Sequence, residues 1–166
     1  MLSKQELKKI GKLDYRLPKK KFVTLHARYS QYSKKTKYFS KKISVNRNST
    51  KSEFLKIAQS IKEKYPQYKL LIVSDYLGCR YFKKLANEAG LKILFSKDYS
   101  KSFLGDGALI IFSSCYFVYK GGGMNIFPIF SKKPYLICWA HDADYDVSWN
   151  SSQYVSWQSD RQVIVN

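Results

Sequence analysis

The chain has 166 residues, a formal net charge of +18, and 45% hydrophobic against 25% charged residues, which suits one domain able to bury its own core. No stretch approaches the roughly 20 apolar residues of a membrane-spanning helix. The N-terminus, Met1-Leu2-Ser3-Lys4-Gln5-Glu6, lacks the apolar core of a secretory signal, and both features favour the cytoplasm.

Residues 1–20 form a basic lead-in in which Leu7, Ile10 and Leu13 recur at a spacing of three, ending at Leu17-Pro18. Phe22 to Arg28 predicts the first strand. Tyr29 to Asn48 is polar, rich in Tyr, Ser and Lys, and without the period of a helix or a strand, so a long loop is expected. Thr50 with Glu53 supplies a capping box, and Phe54, Ile57, Ala58, Ile61 and Tyr65 follow at helical spacing until Pro66. Leu70 to Val73 is an uninterrupted apolar run of the kind found in a strand covered on both faces. Residues 76–89 predict a second helix with Tyr81, Phe82, Leu85 and Ala89 inward and Gly90 at its C-terminal end. Leu91 to Phe95 predicts the next strand.

Residues 103–114 predict a third helix with Leu104, Ala108, Ile111 and Phe112 at helical spacing, and Tyr116 to Tyr119 a further strand. Gly121-Gly122-Gly123-Met124-Asn125 then leads into a short apolar helix, Ile126 to Phe130. Tyr135 to Trp139 predicts the last strand. Strands alternating with helices at this spacing imply an α/β, Rossmann-like three-layer domain over 21–140 with a mainly parallel sheet. The tail, 141–166, carries Trp149, Tyr154 and Trp157 among polar residues and is expected to pack on the same domain.

Cys79, Cys115 and Cys138 are odd in number and lack Cys-x-x-Cys spacing, so buried free thiols are expected rather than disulfides or a zinc site. The charge is uneven: residues 1–51 hold 16 Lys/Arg against 2 Asp/Glu. Such a block suits a phosphorylated small molecule, nucleic acid or an anionic membrane surface, the last for residues 1–21. Biased composition also accounts for abundant lysine.

In open parallel sheets, ligands bind beyond the carboxyl ends of the strands. Those ends carry His26 and Arg28, then Ser74 and Asp75, the glycines 121–123 with Met124 and Asn125, and finally His141 and Asp142. His26 and Arg28 lie two positions apart and share a face, which suits an anion, because Arg offers a planar fork of donors and His donates or accepts. A strand end with a solvated Arg fits the same pattern. The Gly121-Gly122-Gly123 run matches neither a dinucleotide fingerprint nor a Walker loop; it is a tight turn or a close approach of backbone to a phosphate or sugar. His141 to Asp146 reads as a solvated acidic turn in preference to a cation loop, and no metal site is expected.

The order His-x-Arg at a strand end, a basic loop, a strand ending Ser74-Asp75, a helix ending Ser113-Ser114 and a glycine turn before a short helix resembles the donor half of GT-B glycosyltransferases. It is most similar to the fucosyltransferase-like group and to related bacterial glycosyltransferases with an Arg-Asn-Ser stretch, here Arg47-Asn48-Ser49. The resemblance spans about residues 18–140. It implies a nucleotide-sugar donor, such as a GDP-sugar, as substrate with no further cofactor. Arg28 would stabilise the leaving diphosphate as the catalytic contact, His26, Ser74 and Asp75 would bind base or ribose, and Gly121, Gly122, Gly123, Met124 and Asn125 would lie against the diphosphate or sugar. Tyr29 stands where a second basic residue commonly follows the Arg. The acceptor, a glycan or a lipid-linked sugar, would be held by an acceptor domain acting in trans, at the cytoplasmic side and peripheral to the membrane, and no general base is assignable. The competing expectation is a basic, Tyr-rich nucleic-acid module, with Tyr29, Tyr32 and Tyr38 stacking bases between lysines.

Overall fold

The structure, a computed structural model, describes residues 15–29, 48–119, 123–131 and 133–138. Five strands, β1 (Phe22–His26), β2 (Lys69–Val73), β3 (Leu94–Phe95), β4 (Tyr116–Tyr119) and β5 (Tyr135–Cys138), form one sheet of order β3-β2-β1-β4-β5. Every pairing is parallel. The helices α1 (Lys51–Lys64), α2 (Tyr76–Glu88), α3 (Phe103–Phe112) and α4 (Ile126–Ile129) connect the strands. The fold is α/β and Rossmann-like, with three layers.

Alternation along β1 creates the layers. Val23, Leu25 and Ala27 pack with Phe54, Ala58 and Ile61 of α1 and with Phe82, Leu85 and Ala86 of α2 on one face. Phe22, Leu71, Val73, Tyr116 and Val118 pack with Leu109 and Ile110 of α3 on the other. Because both faces are covered, β2 reads as a continuous apolar run, and Leu70 to Val73 are all buried.

The helix ends follow local chemistry. Thr50 caps α1 with its hydroxyl accepting from the Glu53 amide, and the Glu53 carboxylate accepts from the Thr50 amide at 2.8 Å. Gly90 closes α2 at a positive φ of 66°, where glycine carries no Cβ strain. At the end of the lead-in, Tyr15 bridges Ser100 in antiparallel fashion, and Arg16 donates twice to the Asp98 carbonyl.

Four expectations need correction. The β1 ladder ends at His26, two residues before Arg28, and β3 is confined to Leu94–Phe95. In α2 it is Ala86 that faces the core, while Ala89, the C-cap, is exposed. In α3 only Leu104 departs from the apolar spacing: it is 50% exposed, whereas Ala108 is buried with all of Gly105 to Ile110, and Ile111 and Phe112 are partly buried. The small residues Gly105, Gly107 and Ala108 let α3 approach the sheet and α4 closely. A Cβ at Gly107 would stand 2.3 Å from the Phe127 ring. A reading that scores large apolar residues misses a helix buried by its small ones. Cys79 is a buried free thiol and Cys115 a half-buried one. Most of the 1–20 lead-in, most of loop 29–48 and the tail 141–166 lie outside the described residues.

Candidate functional site at the carboxyl end of the sheet

The strand order runs outward in opposite directions on the two sides of β1, so the topological switch point lies between β1 and β4. Crevices beyond the carboxyl ends of strands at such points are where open α/β sheets bind ligands. His26 is in register with Val73 of β2 and Val118 of β4, at the centre of that edge.

His26 ends the alternation Phe22, Thr24, His26 on the α3 face of the sheet. It is only 7% exposed, and its Nδ1 has no hydrogen-bond partner. Burial first, and the neighbouring Arg28 charge second, lower its pKa from 6.5 to about 4. The imidazole is therefore neutral at neutral pH. Arg28 lies two residues on, half-buried where the chain leaves the sheet. Two contacts fix this exit: the Ser49 amide donates to the Arg28 carbonyl at 2.8 Å, and Tyr29 stacks on Tyr81 of α2 with ring centroids 4.0 Å apart. The two ends of loop 29–48 are thus held side by side next to Arg28.

Ser74 and Asp75 follow β2, the strand beside β1, so the topology brings them to the same edge. Their local roles are structural. Asp75 caps α2, its Oδ1 accepting from the Gly78 amide at 2.7 Å, and the spacing Asp75 to Gly78 is the sequence signal for that cap. Ser74 is buried, with its carbonyl accepting from the Ser96 hydroxyl at 3.3 Å. A Cβ at position 78 would fall 2.0 Å from the Ser74 Oγ, so this turn needs glycine.

The glycine turn reaches the switch point from β4. Gly123 to Asn125 form a single 3-10 turn ahead of α4, with Gly123 exposed and Met124 and Asn125 buried. Met124 joins the core on the α3 face. Asn125 Oδ1 accepts from the Tyr116 hydroxyl at 2.8 Å. What this turn can offer a ligand is backbone, since its two larger side chains face inward. Tyr116→Phe removes the donor to a buried amide and is expected to cost about 1–3 kcal/mol, read by urea denaturation. Gly121, Gly122, His141 and Asp142 lie outside the described residues, as does the acidic turn 143–146. Among the described residues, no group of three His, Cys, Asp or Glu side chains could hold a metal ion.

Sequence reasoning missed a second polar group at this edge. Lys97, just after β3, forms an ion pair with Asp106 in the first turn of α3, and the two side chains are only 12% and 6% exposed. Asp106 Oδ1 has no hydrogen-bond partner. Burial pushes the Asp106 carboxyl up, and Lys97 opposes that shift. Lys97 Nζ also lies 5.2 Å from the centre of the Tyr76 ring, at the start of α2. One ammonium thus ties together the first turns of two helices on opposite faces of the sheet. The available signal was an aspartate inside an apolar helix, Gly105-Asp106-Gly107. No family model, curated protein or solved structure matches this chain.

Proposed function

We propose that the chain is the donor-binding domain of a glycosyltransferase, fucosyltransferase-like in type, which holds a nucleoside-diphosphate sugar beyond the carboxyl ends of β1 and β4. The observation that carries this reading is the pairing, at the switch point, of a half-buried Arg28 with a buried His26 whose Nδ1 lacks a partner. Arg28 offsets the charge that develops on the departing diphosphate. A guanidinium supplies that positive charge itself. His26, neutral beside that cation, can hydrogen-bond base, ribose or phosphate without adding charge. The backbone around Gly123 supplies the close approach a phosphate or sugar needs. The acceptor, a glycan or lipid-linked sugar, meets the donor through an acceptor domain acting in trans, at the cytoplasmic side of an anionic membrane.

The nucleic-acid reading loses one of its stacking residues, because Tyr29 is engaged with Tyr81. A calorimetric titration separates the two. Saturable binding of GDP or UDP is expected, together with polynucleotide binding that is weak and lost as salt rises. Tight polynucleotide binding without nucleotide binding would overturn the proposal.

A further inference from the structure

The amino edge of the sheet, opposite the candidate site, is set with lysines in register. Lys69 opens β2, and its amide donates at 3.0 Å to the carbonyl of Lys21, the residue before β1. Lys69 and Lys92 each stand two residues before the paired Leu71 and Leu94, which sets them side by side on neighbouring strands. Lys133 stands two residues before Tyr135, the partner of Tyr116 in β4, and joins the same row at β5. In sheet order the row runs Lys92, Lys69, Lys21, Ser114, Lys133. At roughly 4.8 Å per strand it is about 19 Å long. Lys21, Lys69 and Lys92 are exposed, and Lys133 is half-buried.

Among the described residues, none of these four lysines has a carboxylate partner, because the ion pairs belong to Lys51, Lys83, Lys84 and Lys97. The carboxylates of the helix ends nearest this edge are engaged as well, Glu63 with Gln59 and Glu88 with Lys51 and Lys84. Like charges side by side on neighbouring strands destabilise a sheet, so the fold by itself gains nothing from Lys69 beside Lys92. A linear polyanion along the row removes that repulsion. A row of about 19 Å faces roughly five phosphates of one duplex strand, at about 3.4 Å each. An anionic bilayer needs a second, apolar signal for stable docking, and five of the six exposed large apolar side chains open helices at the opposite edge. Single strands are held by stacking as well, and the rings nearest the row, Tyr65 and Tyr68, pack against the core. We infer that the amino edge of the sheet, through Lys21, Lys69, Lys92 and Lys133, holds the phosphate backbone of a nucleic-acid duplex without reading its bases. The inference does not rest on the donor reading, and it names a face other than loop 29–48.

The test is fluorescence anisotropy of the full chain with labelled DNA duplexes of two unrelated sequences. Equal affinity for both is expected, falling about a hundredfold between about 50 and 200 mM salt, as four phosphate contacts require. Lys69→Gln combined with Lys92→Gln should weaken binding at low salt by about tenfold and make the salt slope shallower by roughly 1.8, with an unchanged or raised melting temperature. Lys21→Gln with Lys133→Gln gives the same result if the first pair folds poorly. Lys56→Gln with Arg80→Gln, which removes the same charge from the exposed helices α1 and α2, should leave affinity within about twofold. Absence of duplex binding by the parent, an edge pair that binds like the parent, or equal losses in the edge and helix pairs overturns the inference. So does binding to phosphatidylglycerol vesicles that the edge substitutions abolish while duplex binding persists. Titration with GDP in the same samples reads the donor site separately.

Discussion

Lys97→Met is expected to destabilise the fold by about 3–5 kcal/mol, because it strands the Asp106 carboxylate in a buried site with nothing to balance its charge. The geometry makes the cost high. Asp106 is 4% exposed, and one of its oxygens already lacks a partner. The loss is larger at neutral pH than in acid: an unpaired buried carboxylate binds its proton more tightly folded than unfolded, so lowering the pH restores part of the deficit. Lys97→Met combined with Asp106→Leu removes both charges and is expected to recover most of the stability. Urea denaturation of the three proteins at two pH values measures this. A Lys97→Met cost below about 1 kcal/mol would show that the pair is solvated.

The second large effect is a loss of stability in mild acid, set by His26. Its folded pKa, about 4, lies below the unfolded value of 6.5, so protons bind the unfolded chain more tightly. The contribution is fully present above pH 6.5 and is lost as pH falls toward 4. Over that window it amounts to roughly 3 kcal/mol. His26→Gln, which cannot take up a proton, should flatten the pH profile by that amount relative to the parent. An identical slope in the two proteins between pH 6.5 and 4 would mean that His26 is solvated when folded. The same preference bears on the site. An anionic ligand near His26 and Arg28 offsets the Arg28 charge and favours the protonated imidazole, so ligand binding and acid stability should be linked.

Much of the fold was legible in local chemistry. Thr50 with Glu53 marked the start of α1, Gly90 marked the end of α2, and the apolar run Leu70 to Val73 announced a doubly covered strand. The strand and helix order then implied the parallel sheet. What was not legible depends on packing between segments. Leu104 looks inward by spacing, yet α3 turns its small residues to the sheet and α4, and that choice is made by the fit of Phe127 against Gly107.

The candidate site divides in the same way. The strand-end positions of His26 and Arg28 could be read from sequence, since alternation and topology place them. The burial of His26, which makes it neutral, follows only from the neighbouring strands and the layer above them. Asp75 looked like a ligand carboxylate, and its observed bond is to its own helix start. Lys97 and Asp106 were invisible as a pair because a strand end and a helix turn bring them together across a loop.

The central claim is that the end of β1 binds a nucleoside diphosphate through Arg28. Calorimetric titration of the parent and of Arg28→Ala with GDP and UDP tests it most directly, with circular dichroism as the check on folding. The expected result is saturable binding by the parent and a loss of about tenfold to a hundredfold in the variant, the worth of a charge-assisted contact to phosphate. Equal affinities in two folded proteins, or no binding of either nucleotide by the parent, would contradict it.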